Sequence, residues 1–551
     1  MTKKFMSSWQ RFVGLLRLDK RDVLQILYYA VFAGVVSLTL PLGIQAIINL
    51  IQGAQMSTSW ILLVILVTLG VAFSGLLQLA QMRIIENVQQ KIFTRASFEF
   101  AYRFPKIRMS ELRNYYPPEL ANRFFDTLTI QKGISKILID FPAAFLQIIL
   151  GLLLLSFYHP FFIIYGILLM LLVYIVFKFT AQKGLETSLE ESKNKYKVAH
   201  WLQEIARTII SFKMAGKTKH ALNKNDELVS DYLIAREGHF RILVLQFIQM
   251  IGFKVLVTAG LLIIGGILVI NQQMNIGQFV AAEIIILLVI SSVEKLILGL
   301  ESFYDVLTSL EKMGQVVDKE LESQEGENPA FNHMNIELSN VSYNPEGVNE
   351  HILKDIDLHI SDKESLLIQG ENGSGKTSLL KLIAGVLEPT HGSIYVNDKS
   401  LTAINLNHYR FNIGQSLTED TPFEGTIIDN ITFGDSDFTS EEIDWAIRHT
   451  GLNEFIKQQP KGMKTILYPE GKQISYTISK KIILARNIIR KPKLLILKEP
   501  LEYFDPKEAK TIMSFLTSKE RPWTLVVVSH NKDWAVKCSR VITLKKGKLK
   551  A

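Results

Sequence analysis

The chain has 551 residues, more than one compact core usually holds, so at least two domains are expected. Hydrophobic residues make up 48% of it, which argues against an ordinary soluble protein and for one that is half membrane. One cysteine, Cys538, excludes an intrachain disulfide, and a formal charge of +8 in so apolar a chain fits basic loops on one side of a membrane rather than nucleic-acid binding.

The N-terminus is basic (Lys3, Lys4, Arg11, Arg17, Lys20, Arg21) but has no small-residue cleavage site after a short apolar core, so no cleaved signal peptide is expected. A spanning helix needs about 20 apolar residues. Six stretches reach or approach that length: 23–51, 60–81, 141–158, 161–177, 242–270 and 276–298. Between the short third and fourth, Tyr158-His159-Pro160 predicts a tight hairpin. The connections 52–59, 159–160 and 271–275 hold no Lys or Arg, whereas 83–140 and 178–241 hold many. The positive-inside rule assigns those long segments and both termini to the cytoplasm. Their apolar residues recur at helical spacing (Ile84, Ile85, Val88, Ile92, Phe93; then Leu185, Leu189, Tyr196, Trp201, Leu202, Ile205), so the spanning helices are expected to continue past the bilayer.

Charged residues within spans are functional candidates. Lys254 lies in the fifth span; Glu283, Glu294 and Lys295 lie in the sixth. Counted from the outer turn at about 1.5 Å per residue, Lys254 and Glu294 sit at similar depth. Two arrangements are open: a pair across adjacent helices or, more simply, charges snorkelling to water at the inner interface.

After Leu310 the pattern turns polar, and 318–333 (DKELESQEGENPAFNH) reads as a linker. The expected organisation is a membrane domain over 1–310, a linker over 311–333 and a soluble domain over 334–551. From Met334 onward, short apolar strands alternate with helical patterns, as in βαβ units around a largely parallel sheet. The fold class is an all-α six-helix transmembrane domain with long cytosolic helix extensions, plus an α/β P-loop NTPase domain.

The sharpest local signal runs from Ser365 to Leu380: an apolar strand, then Gly370-Glu-Asn372-Gly373-Ser374-Gly375-Lys376-Thr377-Ser378, then an apolar helix. Such glycines let backbone N–H groups curl around phosphate oxygens, and the helix N-terminus adds a positive dipole end. Lys376 is expected to reach the β- and γ-phosphates of ATP, and Thr377 to ligate Mg²⁺.

Further motifs follow in order. They are Gly471-Lys-Gln-Ile474-Ser475-Tyr476-Thr477-Ile478, Ile482-Ile-Leu-Ala-Arg486, Leu494-Leu-Ile-Leu-Lys498-Glu499-Pro, Phe504-Asp505 and Val526-Val-Val-Ser529-His530. In order and spacing they resemble the signature, Walker B, D-loop and H-loop of ABC ATPases. Phe423-Glu-Gly-Thr426-Ile-Ile-Asp-Asn430 is similar to the segment after the family's Q-loop. Six spans before one such domain resemble a half-exporter. Thr39-Leu-Pro41 in the first span and Asn275-Ile-Gly277-Gln278 opening the sixth are similar to toxin and peptide secretion exporters.

The resemblance implies a dimer, with each ATP held between the P-loop of one subunit and the signature motif of the other. It implies Glu499 as general base and His530 as its neighbour in catalysis, Tyr343 near the adenine-stacking position, and coupling helices near 115–119 and 201–212. It also implies a lipid bilayer around the spans, a bacterial inner membrane with the nucleotide domain cytoplasmic, and room for a periplasmic adaptor. Neither the substrate nor the choice between homodimer and heterodimer is readable. No peptidase segment is expected ahead of the first span, so substrate processing on this chain is not suggested.

The departures from the family are specific. The signature glycines are replaced by Tyr476 and Thr477, which obstruct close backbone approach to the γ-phosphate, while Ser475 keeps one donor. The Walker B aspartate is Lys498, a cation where an anion should face Mg²⁺, so metal binding is expected to be weakened. The Q-loop glutamine position carries Thr418, with Gln415 three residues earlier. Two readings of Lys498 are open. The simpler is that it pairs with Glu499 and disables it; the other is that its ammonium replaces Mg²⁺ as counter-charge. The expected function is ATP-coupled export with slow or partner-dependent hydrolysis. The alternative is a non-hydrolysing nucleotide-binding regulator or scaffold.

Overall fold

The computed structural model describes residues 6–52, 58–113, 115–345 and 351–550. Lys3, Lys4 and most of the 52–59 connection fall outside them. The chain divides into two compact units, Met1–Lys106 with Asn114–Lys319, and Ile107–Arg113 with Glu320–Ala551.

The first unit is helical. It holds α1 (Ser8–Leu18), α2 (Lys20–Ser37), α3 (Thr39–Gln52) and α4 (Thr58–Arg103). A short helix of the second unit, α5 (Met109–Leu112), comes next in the chain. The first unit then resumes with α6 (Pro117–Ala121), α7 (Asp126–Tyr158), α8 (Phe161–Arg207), α9 (Ile209–Met214), α10 (His220–Ile270) and α11 (Ile276–Val317). Among the described residues six helical stretches are long and apolar enough to cross a membrane. The 46 residues of α4 rise about 69 Å, over twice a hydrocarbon core of about 30 Å, so the helix extends well past the bilayer as its periodicity predicts.

The hairpin forms at the expected place. Helix α7 ends at Tyr158, His159 is extended, and Pro160 caps α8. The first span is broken in two at Leu38. Pro41 has no N–H to offer to the preceding turn, and Ser37 and Thr39 turn their hydroxyls onto the carbonyls of Gly34 and Val36. Asn275 and Gln278 form a reciprocal capping box at the start of α11, with bonds of 2.8 and 2.9 Å. A Cβ at Gly277 would strike Asn49 of α3. This motif therefore has a local packing reason of its own.

Helix α11 continues past Leu310 to Val317 because one face stays buried (Leu310, Lys312, Gly314, Val316). Helix α1 packs on this tail. Arg11 donates to Glu311 at 2.7 Å and to Asp318, and Phe12 meets Phe303 edge-on at 5.5 Å. In the fifth and sixth spans, Lys254 Nζ lies 2.6 Å from Glu294 Oε2, so the two charges pair rather than reach for water separately.

The second unit contains β1 (Ile336–Tyr343), β2 (Leu353–Ile360), β3 (Ser365–Gln369), β4 (His391–Val396), β5 (Lys399–Ser400) and β6 (Ile413–Ser416). It continues with β7 (Gly425–Thr426), β8 (Ile466–Leu467), β9 (Leu494–Lys498), β10 (Thr524–Val528), β11 (Arg540–Lys545) and β12 (Lys548–Lys550). The central sheet, in the order β12-β11-β3-β10-β9-β6, is parallel except at β11–β12. Its inner strands are buried and mainly apolar, as a sheet covered on both faces requires. A second, antiparallel sheet has the order β2-β1-β4-β5, which the sequence patterns did not separate from the βαβ units. Segment 107–113 joins this unit. Ile107 bridges Leu321, and the Arg108 N–H donates to the Glu320 carbonyl at 3.0 Å.

Candidate nucleotide site

Strand β3 delivers the chain to the P-loop, and α12 (Lys376–Ile383) leaves from it. Three loop glycines have left-handed φ: Gly370 at 153°, Gly373 at 80° and Gly375 at 100°. A Cβ at Gly370 would strike the Leu544 carbonyl, and one at Gly375 would lie 2.8 Å from the Ile352 carbonyl. At Gly373 nothing lies within 4 Å, so that glycine borders open space where a ligand can approach. Gly375 caps α12 without a side chain, which leaves the first-turn N–H groups for an anion. Asn372 and Gly373 are exposed, and Thr377 and Ser378 sit half-buried in the first turn of the helix.

Two observations test the loop against a phosphate ligand. The Ser374 hydroxyl is buried and has no hydrogen-bond partner. Lys376 Nζ folds back onto the carbonyls of Gly370 and Glu371, at 2.7 Å each, so it closes over the loop. Burial holds the Lys376 pKa below the usual lysine range and the positive charge of Lys498 adds to this, with Glu499 opposing. A triphosphate fits this loop, since it would accept from the orphaned hydroxyl and neutralise the cations.

The Walker B strand β9 ends at Lys498, and Glu499 turns away with φ 44°. The Glu499 carboxylate accepts from Ser529 Oγ at 2.8 Å and from the His530 N–H at 2.8 Å. The His530 ring is exposed, with Nε2 at 3.8 Å from the same carboxylate. Among the described residues no Lys498–Glu499 ion pair forms, which overturns the simpler reading of Lys498. Neighbouring side chains of an extended strand diverge, and the left-handed turn swings Glu499 toward the end of β10.

A divalent ion does not fit as well as the nucleotide does. Thr377 is present, but an ammonium replaces the carboxylate opposite.

Ser475 caps the helix Tyr476–Ile488, its hydroxyl oxygen accepting from the Ile478 N–H at 3.3 Å, which leaves the O–H free to donate. Tyr476 is 41% exposed, and its ring meets Tyr503 edge-on at 5.6 Å. Burial raises the Tyr476 pKa and the charge of Glu502 adds to it, so the phenol is neutral. Tyr343 ends β1, and its carbonyl accepts from the Ile352 N–H at 3.0 Å, one strand from Gly375. Its ring packs partly into the core.

Sequence reasoning missed Lys480. It is buried and donates to the carbonyls of Leu417 (3.3 Å), Thr418 (2.7 Å) and Asp420 (2.9 Å). This ties the signature helix to the shifted Q-loop. The signal available was a lysine pair, Lys480-Lys481, at the head of an apolar helix. Gln415 lies within β6, its N–H donating to Asn487, and the Thr418 hydroxyl is buried without a partner.

Comparison with known proteins matches these features. The family described as "ABC transporter transmembrane region" matches residues 23–293, and that described as "ABC transporter" matches 353–502. The ATP-dependent permease MDL1 of Candida albicans is 31% identical over 296 residues, covering 51% of this chain and 42% of that protein. The ATP-binding cassette sub-family B member 5 of Homo sapiens is 32% identical over 240 residues, 43% of this chain and 19% of its own. The alpha-hemolysin translocation ATP-binding protein HlyB of Escherichia coli is 26% identical over 354 residues, 63% of this chain and 50% of its own. The matches thus span half or less of these relatives' lengths. The solved structure of a bacterial Atm1-family ABC exporter with ATP bound has the same fold, at a TM-score of 0.86 and 16% identity over 98% of this chain and 95% of that one. With six spanning helices fused in one chain to a P-loop domain that implies an ATP site, the protein belongs to the ABC transporter family.

Proposed function

We propose that the chain is a half-exporter subunit that dimerises in a bacterial inner membrane, nucleotide domain in the cytoplasm, binds ATP at its P-loop, and hydrolyses it slowly or only with a partner. The observation that carries this reading is the contrast within one site. The phosphate cradle is complete, from three left-handed glycines to the orphaned Ser374 hydroxyl, whereas the hydrolytic side is not. Lys498 stands in the metal position, Tyr476 and Thr477 fill the signature, and both carboxylate oxygens of Glu499 already accept hydrogen bonds.

For water attack, Glu499 has to release Ser529 and the His530 N–H and turn toward the γ-phosphate. His530 is exposed and can follow. In a homodimer each composite site combines one chain's Lys498 with the other's Tyr476, so both sites carry two defects. With an intact partner each site carries one, and the better turnover falls at the partner's P-loop facing Ser475.

The test is ATP turnover by the purified chain, alone and with any co-purifying partner. The chain alone is expected to fall well below about 1 per second, in the lower range of enzymes, and a partner to raise it. Turnover of about 1 per second or more by the chain alone would overturn the reading. The second reading, a non-hydrolysing regulator or scaffold, draws on the engagement of Glu499. It predicts no rise with any partner, and transport unchanged in a Glu499→Gln variant.

A further inference from the structure

We propose that this site takes ATP as a metal-free polyanion, with the Lys498 ammonium doing the neutralising that a divalent cation does elsewhere. The inference rests on the nucleotide-binding reading above and adds the ionic form of the ligand.

The sheet register brings the groups together. Lys498 pairs with Val528 and Val528 with Ile368, so the three residues form one row across the carboxyl ends of β9, β10 and β3. At about 4.8 Å between neighbouring strands, the row is roughly 10 Å wide. Ile368 lies two residues before Gly370, where the P-loop begins. Lys498 therefore ends its strand two strands from the phosphate cradle, over which Lys376 closes. The crevice at the carboxyl ends of parallel strands is where such sheets bind ligands.

Two cations meet there. Lys376 feels the positive charge of Lys498, so two ammonium groups share the site. Glu499 opposes them in part, but both its oxygens are held by Ser529 and the His530 N–H, and Glu419, which also feels Lys498, is paired with Lys381 at 3.0 Å. A divalent cation needs oxygen ligands, preferably anionic, and would meet a fixed cation instead. A polyphosphate meets two cations, the free N–H groups of α12 and the unpartnered Ser374 hydroxyl.

The experiment measures equilibrium binding of ATP to the purified full chain in Mg²⁺ and in excess EDTA. The wild-type dissociation constant is expected to change by less than about threefold, a small fraction of the decade that 1.4 kcal/mol produces. Lys498→Asp is expected to bind in Mg²⁺ and to lose about tenfold or more in EDTA, and Lys498→Met to lose affinity in EDTA. A wild-type affinity that falls about tenfold in EDTA overturns the inference and leaves nucleotide binding standing. Absence of ATP binding in both conditions overturns the nucleotide-binding reading as well. Lys376→Ala, expected to abolish binding in both, ties the signal to the P-loop. The wild-type comparison decides the question even if a Lys498 variant fails to fold.

Discussion

A lysine buried to 5% exposure must find acceptors for its ammonium, and Lys480 finds three backbone carbonyls in the segment 417–420. Burial lowers its pKa, and the charge of Asp420 opposes that, so the contact is a charge-assisted clamp rather than a loose surface cation. Asp420 closes the same turn, its carboxylate accepting from the Leu417 N–H at 2.6 Å. Replacing Lys480 by Met would leave the Thr418 and Asp420 carbonyls without their donor, and a buried unsatisfied group costs about 1–3 kcal/mol. The expected outcome for Lys480→Met is faster amide hydrogen exchange in 417–420, with 413–416 in β6 as protected as before. Unchanged exchange in 417–420 would show that the turn holds itself. The clamp was not legible in the sequence because its partners lie about 60 residues apart, with no shared motif. The P-loop was legible because strand, glycines and lysine are contiguous, and their conformational demands are local. In the sequence, Ser529 stands out only as part of a motif. Its grip on Glu499 depends on β9 and β10 lying side by side, and strand order is not written in either strand.

Helices were easier to read than sheets. The six spans, the turn at His159 and the long extensions follow from run length and 3.6-residue periodicity, which need only the neighbouring residues. The antiparallel sheet of β1, β2, β4 and β5 escaped because short strands reveal little about their partners. The Lys254–Glu294 pair stands between these cases, since equal depth on two adjacent helices was countable, but the facing of the side chains was not. The pair joins α10 and α11 within the segments that cross the membrane. Lys254→Glu or Glu294→Lys alone sets two like charges where an ion pair now stands, toward the inner end of the spans. Each single reversal is therefore expected to lower thermal stability in detergent and to reduce transport by the assembled transporter. The double reversal is expected to restore both. If the double variant is as impaired as the two singles combined, the charges act separately, each with its own surroundings.

At the scale of the proposed dimer, the departures at Lys498, Tyr476 and Thr477 are linked by symmetry. In a face-to-face dimer, a chain's Lys498 acts on its own ATP, while its Tyr476 and Thr477 act on the ATP of its partner. Repairing only Lys498→Asp in a homodimer leaves both sites facing a blocked signature. Repairing only Tyr476→Gly with Thr477→Gly leaves both sites without the anion that Mg²⁺ needs. Residues that act as a unit in catalysis give strongly non-additive effects. Each partial repair is therefore expected to raise turnover by no more than about threefold, well short of what 1.4 kcal/mol off the barrier gives. The combined repair is expected to raise it at least about a hundredfold, some ten times the product of the two partial gains, toward 1 per second. The Tyr476 ring has to leave its contact with Tyr503 for the signature backbone to approach, and glycine removes that ring outright. Helix Tyr476–Ile488 keeps its Ser475 cap in every variant, which limits the cost of the glycines to roughly 1 kcal/mol each. The measurement is ATP hydrolysis by the four homodimers at saturating Mg²⁺ and ATP. Gains that simply multiply would mean that the two defects do not meet at one nucleotide, and that the chain does not pair with itself in the face-to-face manner.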